Sequence, residues 1–205
     1  EKGADVLDEG LRQADLVFHL AGVNRPQTDE EFHTGNTGST EEMCRKLKET
    51  GRAPKIVFSS SIQADLDNPY GVSKRNAEEV LRRFSAETGA ECIVYRFKNL
   101  FGKWCRPDYN SVTATFCHNI ANDLPIRISD SAREIELTYI DDVVNVFIDE
   151  LSSGGSGFRF ADPLPSHRIS LGGMAQLIQS FKGVRTSLFL PDFSEPFVRA
   201  LYATY

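Results

Sequence analysis

An α/β fold built on a doubly wound parallel sheet is what this 205-residue sequence predicts, on three observations. Segments of strand and helix character alternate through the first two-thirds of the chain. The strand segments are continuous apolar runs without polar alternation, as in strands buried on both faces. The runs end in small or polar residues, at the sheet edge where open α/β sheets bind ligands. The last third loses the alternation and predicts a small, mostly helical lobe packed against the sheet. The cleft between the two is the expected substrate site.

Taken in order, the chain opens inside a short helix running towards Gln13. With no initiating methionine, it reads as a piece of a longer protein. Asp15 to Ala21 is the first apolar run, and Gly22 at its end lets the backbone turn or approach a ligand. A polar loop follows at Asn24-Arg25-Pro26. Residues from about Asn36 to Thr50 predict a helix with Met43 and Leu47 on its apolar face, stopped by Gly51. Lys55-Ile56-Val57-Phe58 is the next buried strand and delivers Ser59, Ser60 and Ser61 at its carboxyl end. Pro69 starts a long helix to about Thr88, with Ala77, Val80, Leu81 and Phe84 facing the core and Gly89 closing it. Glu91 to Phe97 is another strand, and Asn99 to Pro107 a chemically rich loop. Then come a helix from Ser111 to Asn122, short strands at Ile126–Ile128 and 135–139, and a helix capped by Asp141-Asp142 and ending near Leu151. A Ser/Gly turn at 152–157, a helix over Leu171 to Phe181 and an aromatic-rich end complete the chain.

Composition narrows the function. Hydrophobic residues are 40% and charged ones 25%, enough for one substantial core. The net charge of −6 argues against nucleic acid and against an anionic membrane as partners. Cys44, Cys92, Cys105 and Cys117 form no Cys-x-x-Cys pair and have no ligand-like histidine spacing, so free thiols and no metal site are expected. No apolar run reaches membrane-spanning length and nothing resembles a signal peptide. The expected location is the cytoplasm.

The chemistry concentrates at Tyr70-Gly71-Val72-Ser73-Lys74. Tyr70 and Lys74 are four residues apart and share one helix face. A phenol has an ordinary pKa of about 10. A neighbouring ammonium favours the phenolate, so Lys74 is expected to lower that value. A serine hydroxyl at the preceding strand end could hold a substrate oxygen, so that hydride and proton reach a single carbonyl.

Phe18-His19-Leu20-Ala21-Gly22, the serine triplet, Tyr70-x-x-x-Lys74 and Arg96-x-x-Asn99-x-x-Gly102 occur in order at matching spacing. In these blocks the chain resembles the extended short-chain dehydrogenase/reductases acting on nucleotide sugars, over nearly its whole length. Ala21 to Pro26 and Asn99 to Cys105 look nearest to reductases of that family in capsular-polysaccharide synthesis. The resemblance implies a Rossmann-like fold. It divides the chain into a cofactor-binding core over roughly 1–108 and 135–150, and a substrate lobe over 109–134 and 151–205. It implies Tyr70 as general acid, Lys74 as the group lowering its pKa and holding the nicotinamide ribose, and Ser61 on the substrate oxygen. Leu20, Ala21, Gly22, Asn36, Ser59, Arg96 and Asn99 join Tyr70 and Lys74 as cofactor-binding residues, with Asn36 supporting the 21–22 loop. Arg25, Ser61, Asn99 and Asn110 would face the nucleotide sugar. Arg127 and Arg133 are either diphosphate contacts or ordinary surface arginines.

The implied reaction is reduction of the 4-keto group of a UDP-2-acetamido-2,6-dideoxy-hexos-4-ulose, on the way to UDP-N-acetyl-L-fucosamine. The cofactor is NADP, with NAD possible, and a homo-oligomer is expected. Two departures stand out. The family's glycine-rich phosphate loop is absent from these 205 residues, so the chain alone is expected to bind dinucleotide poorly. The capsular relatives also continue into a metal-binding cupin domain that this chain does not contain. A 4,6-dehydratase is disfavoured because Ile62-Gln63 follows Ser61 where that chemistry needs an acid. Two alternatives stay open: a 4-epimerase retaining NAD, and a non-catalytic Rossmann protein that senses a dinucleotide.

Overall fold

The computed structural model describes residues 2–188 and 190–205. It divides into two compact units, one running to Phe97 and completed by Phe147–Pro163, the other formed by Lys98–Val146 and Leu164–Tyr205. This partition differs from the expected one. The first unit ends at Phe97 and not at 108, residues 135–146 belong to the second unit, and 151–163 belong to the first.

The first unit is a parallel sheet with flanking helices. Its strands β1 (Leu16–His19), β2 (Lys55–Ser61), β3 (Cys92–Phe97) and β6 (Phe158–Phe160) lie in the order β1-β2-β3-β6, every pair parallel. Helices α1 (Lys2–Gln13), α3 (Ser39–Thr50) and α4 (Pro69–Thr88) supply Leu11, Met43, Cys44, Leu47, Ala77, Val80, Leu81 and Phe84 to one core. They pack on Ile56, Phe58, Cys92 and Val94 from one face of the sheet. The other face is covered by aromatic rings, with Phe147 at 5.2 Å from Phe18 and 5.5 Å from Tyr95. Burial on both faces is why β2 and β3 read as unbroken apolar runs. Phe58, Leu81 and Phe84 are at most 1% exposed, and full burial of each such side chain stabilises by about 1.5–3 kcal/mol.

Local chemistry sets the helix ends. Asn68 caps α4 by accepting from the Gly71 N–H at 2.8 Å, and Pro69 fills the first helical position, where no intrahelical donor is needed. Gly51 and Gly89 end α3 and α4 at φ 68° and 76°, the left-handed conformation that glycine adopts without cost. The helix expected from Asn36 begins earlier, as α2 (Asp29–Phe32). It passes through a π-helical segment, His33–Gly38, before α3.

The amino end of β2 is tied by charge. The Lys55 ammonium donates to Glu150 Oε2 at 2.6 Å and Ser153 Oγ at 2.6 Å, while Tyr95 Oη donates to Glu150 Oε1 at 2.7 Å. Burial pushes the Glu150 carboxyl up, but the bonds from Lys55, Ser153 and Tyr95 outweigh it and hold it at about 2.

The second unit carries its own three-stranded sheet, β4 (Asn99–Phe101), β5 (Glu134–Tyr139) and β7 (His167–Ser170). β4 pairs parallel and β7 antiparallel with β5. Helices α5 (Val112–Ala121), α7 (Leu171–Ser187) and α8 (Pro196–Thr204) share its core of Phe101, Phe116, Leu137, Met174, Ile178 and Leu201. The lobe is mostly helical as expected, with a short sheet within it. Ile126–Ile128 forms no strand. Ile126 and Ile128 instead anchor a loop on this core. Helix α6 (Ile140–Asp149) begins just before Asp141-Asp142 and runs across the boundary between the units. Among the described residues no helix is long and apolar enough to cross a membrane.

Candidate active site

The carboxyl end of β2 and the first turns of α4 build the site. The β pleat sends successive serines of Ser59-Ser60-Ser61 to opposite sides. Ser60 is 4% exposed and donates to Glu78 Oε1 at 2.5 Å. Ser61 ends the strand and caps the short 3₁₀ turn Ile62–Asp65 by accepting from the Gln63 N–H at 3.2 Å. Its hydroxyl also acts on the Tyr70 phenol, favouring the ionised form. The preference for the third serine thus has a physical basis, since Ser60 is taken up by Glu78.

Gly71 makes the Ser61–Tyr70 approach possible. A Cβ there would stand 2.1 Å from the Gln63 carbonyl oxygen and 2.8 Å from that of Leu66. The missing side chain lets α4 start against the 3₁₀ turn, with Gly71, one residue after Tyr70, close to Gln63, two residues after Ser61. Tyr70 is half-buried, with its ring 5.7 Å from that of Phe32. The expected lowering by Lys74 is corrected: desolvation outweighs the opposing effect of Ser61 and raises the phenol's pKa.

Lys74 is 5% exposed. Its ammonium donates to the Ser59 carbonyl oxygen at 2.7 Å and stands 4.4 Å from the centre of the Phe58 ring. Burial lowers its pKa to about 8, opposed by the Glu78 carboxylate. His19 stacks on Phe58 at 5.2 Å and shares a 2.9 Å hydrogen bond with Thr40 Oγ1. Burial and then the Lys74 charge hold His19 at about 4, so its ring is neutral.

The loop after β1 reaches the same place. A Cβ on Gly22 would stand 2.7 Å from Asn36 Oδ1 and 3.8 Å from Lys74 Nζ. Asn36, inside the π-helical segment, accepts from the Val23 N–H at 2.8 Å and donates to the Val23 carbonyl at 2.9 Å and Ser73 Oγ at 2.9 Å. It thereby clamps the loop to α4. π-Helical insertions concentrate at functional positions, and this one turns a buried amide towards two elements at once. Leu20, Ala21 and Gly22 are exposed directly after the strand. Arg25 is exposed on the same loop.

The first unit therefore gathers Gly22, Asn36, Ser59, Ser61, Tyr70 and Lys74. Arg96, expected at the cofactor, has its guanidinium turned to carboxylates of the protein, Glu78 at 2.9 and 2.5 Å and Asp65 at 2.6 Å. Asn99, Asn110, Arg127 and Arg133 belong to the second unit. Asn99 opens β4 and donates to the Glu136 carbonyl at 3.1 Å. Asn110 and the two arginines are exposed on the loops around α5 and before β5. Glu78 escaped the sequence reading. The signal was there: it follows Lys74 by the four residues that separate Lys74 from Tyr70.

The site suits a nicotinamide cofactor at the ribose end. An ammonium has three donors, and Ser59 takes one, which leaves N–H groups for a vicinal diol beside the side-chain-free edge of Gly22. Among the described residues no cluster of His, Cys, Asp and Glu could hold a metal ion.

Residues 3–158 match the NAD dependent epimerase/dehydratase family. The chain is 44% identical, over all 205 residues, to UDP-2-acetamido-2,6-beta-L-arabino-hexul-4-ose reductase of Pseudomonas aeruginosa, and covers 55% of that protein. The crystal structure of the capsular polysaccharide assembling protein CapF from Staphylococcus aureus superposes with a TM-score of 0.85 at 39% identity, over 98% of this chain and 55% of that one. UDP-glucuronic acid 4-epimerase from Bacillus cereus, in complex with NAD, shares the fold with a TM-score of 0.78 at 17% identity, over 97% of this chain and 75% of that one. The chain spans about half the length of the two nearer relatives. On the family match over residues 3–158, the chain belongs to the NAD dependent epimerase/dehydratase family.

Proposed function

We propose that this chain is the reductase portion of an enzyme that reduces the 4-keto group of a UDP-2-acetamido-2,6-dideoxy-hexos-4-ulose, towards UDP-N-acetyl-L-fucosamine for capsular polysaccharide. The cofactor supplies the hydride, and we favour NADPH over NADH on family resemblance. Lys74, Ser59 and the 20–22 loop would hold its ribose and nicotinamide, with Asn36 bracing the loop. Ser61 donates a hydrogen bond to the substrate carbonyl oxygen, which polarises it and fixes its position. Tyr70 gives its proton to the same oxygen as negative charge develops there. Lys74 stabilises the phenolate left behind, an attraction that grows as that charge appears. Asn99, Asn110, Arg25, Arg127 and Arg133 are proposed for the nucleotide sugar. A nucleotide-sugar substrate and four free cysteines suit a cytoplasmic enzyme.

The observation that carries this reading is the placement of Ser61 at the end of β2 beside the start of α4, which carries Tyr70 and, one turn on, Lys74 bonded to the Ser59 carbonyl. The test is to supply the full-length protein with NADPH and the UDP-linked 4-keto-6-deoxy sugar. Stoichiometric NADPH consumption with a new hydroxyl at C4 is the expected result. Tightly held NAD with C4 inversion and no net NADPH consumption would replace this reading with the epimerase.

A further inference from the structure

Tyr70, Lys74 and Glu78 are spaced i, i+4, i+8 and so form one stripe along α4. The third member has no part in the proton transfer described above, yet it is among the most heavily bonded groups in the first unit. Glu78 is 4% exposed. It accepts from Ser60 Oγ at 2.5 Å, Arg96 Nε at 2.9 Å and Arg96 Nη2 at 2.5 Å. The β2–β3 register pairs Ser60 with Arg96, so neighbouring strands present both donors to one carboxylate. Asp65 holds the far side of the Arg96 guanidinium at 2.6 Å.

A buried ion pair alone is weak support for stability, so the position of this one calls for another reason. Lys74 supplies it. The groups that bear on its ammonium are Glu78, one turn on along α4, neutral His19 from β1, and the Ser59 carbonyl and Phe58 ring from β2. The loop at Gly22 and the amide of Asn36 complete its surroundings, while Arg96 and Asp65 act on it through Glu78. Among the described residues, Glu78 is the carboxylate whose charge acts on it. Burial works against the charged form of a lysine, and the Glu78 carboxylate opposes that pull.

Resting on the reductase reading, we propose that Glu78 is a positioning residue for the reaction: anchored by Ser60 and Arg96, it keeps Lys74 an ammonium inside the site. Arg96 then serves as a damper, neutralising part of the Glu78 charge so that Lys74 is stabilised but not locked to it.

Glu78→Gln keeps the shape and the acceptor for Ser60 while removing the charge. The test measures the titration of Lys74 directly, by competitive acetylation against pH with mass-spectrometric readout on the full-length protein, alongside the pH profile of kcat. In E78Q the Lys74 midpoint should fall by about 1 pH unit. The alkaline limb of kcat should move down with it, while the limb in Glu78→Asp stays near that of the wild type. Arg96→Gln should move the midpoint the opposite way, and this arm decides the matter if E78Q does not fold. A Lys74 midpoint unchanged in folded E78Q, or unchanged in R96Q, overturns the proposal. If the midpoint moves as expected but the wild type never consumes NADPH with a keto sugar, the reductase reading fails and the role of Glu78 towards Lys74 stands.

Discussion

Replacing Gly71 with alanine tests how the fold creates the site. The added methyl would stand 2.1 Å from the Gln63 carbonyl oxygen and 2.8 Å from that of Leu66. A carbon–oxygen contact settles at roughly 3.3 Å, so α4 or the 3₁₀ turn must retreat by about 1 Å. Both obstacles are backbone, and neither can rotate away. Overpacking of this kind costs about 1–3 kcal/mol. The displacement falls between Ser61 and Tyr70, which flank the contact, and a misplacement of about 1 Å can cost on the order of 10²-fold in rate. The assay is a pair of measurements on one preparation, thermal unfolding and kcat for NADPH-dependent reduction. The expected result is a modest loss of Tm with a loss of kcat near 10²-fold, disproportionate to the stability change. A variant with wild-type kcat and wild-type Tm would refute the claim that this close approach sets the Ser61–Tyr70 geometry.

The two adjacent serines should separate cleanly. Ser61→Ala removes the hydroxyl at the phenol and should lower kcat by on the order of 10²-fold with little change in unfolding. Ser60→Ala removes a buried bond to a carboxylate and should cost roughly 1.5–3 kcal/mol of stability, read by urea unfolding. At the other end of β2, the Glu150 pKa is depressed from 4.5 to about 2. Its contribution is therefore complete above about pH 4.5 and is lost as pH falls towards 2. The shift corresponds to roughly 3 kcal/mol, and urea midpoints measured from pH 5 to 2 should fall more steeply in the wild type than in Glu150→Gln.

The parts of this molecule written in local pattern were legible in the sequence. Unbroken apolar runs gave β1, β2 and β3 because both sheet faces are covered. Asn68-Pro69 and Gly89 marked α4 because capping and left-handed backbone are local requirements. What was not legible depended on partners distant in sequence. Phe158–Phe160 and His167–Ser170 are strands of three and four residues interrupted by arginines, and only their neighbours in the two sheets make them strands. Ile126–Ile128 has the alternation of a strand but no ladder to join. The stretch His33-Thr34-Gly35-Asn36-Thr37-Gly38 lacks strong helix formers, which hid a helical path held by Asn36 and Thr40. At the site, the Tyr70, Lys74 and Ser61 placement follows from helix spacing and strand end. The internal partners of Arg96 were hidden for a different reason. An arginine at a strand's carboxyl end looks like a ligand contact until the register with Ser60 brings Glu78 into reach.

The proton donor is the centre of the account, and Tyr70→Phe reaches it most directly. The substitution removes one oxygen and leaves the ring against Phe32. Single-turnover reduction of the UDP-linked keto sugar by bound NADPH should slow by about 10²–10⁴-fold while the substrate Kd stays near the wild-type value. Hydride transfer at an unchanged rate in Y70F would contradict the account and move the proton to another group.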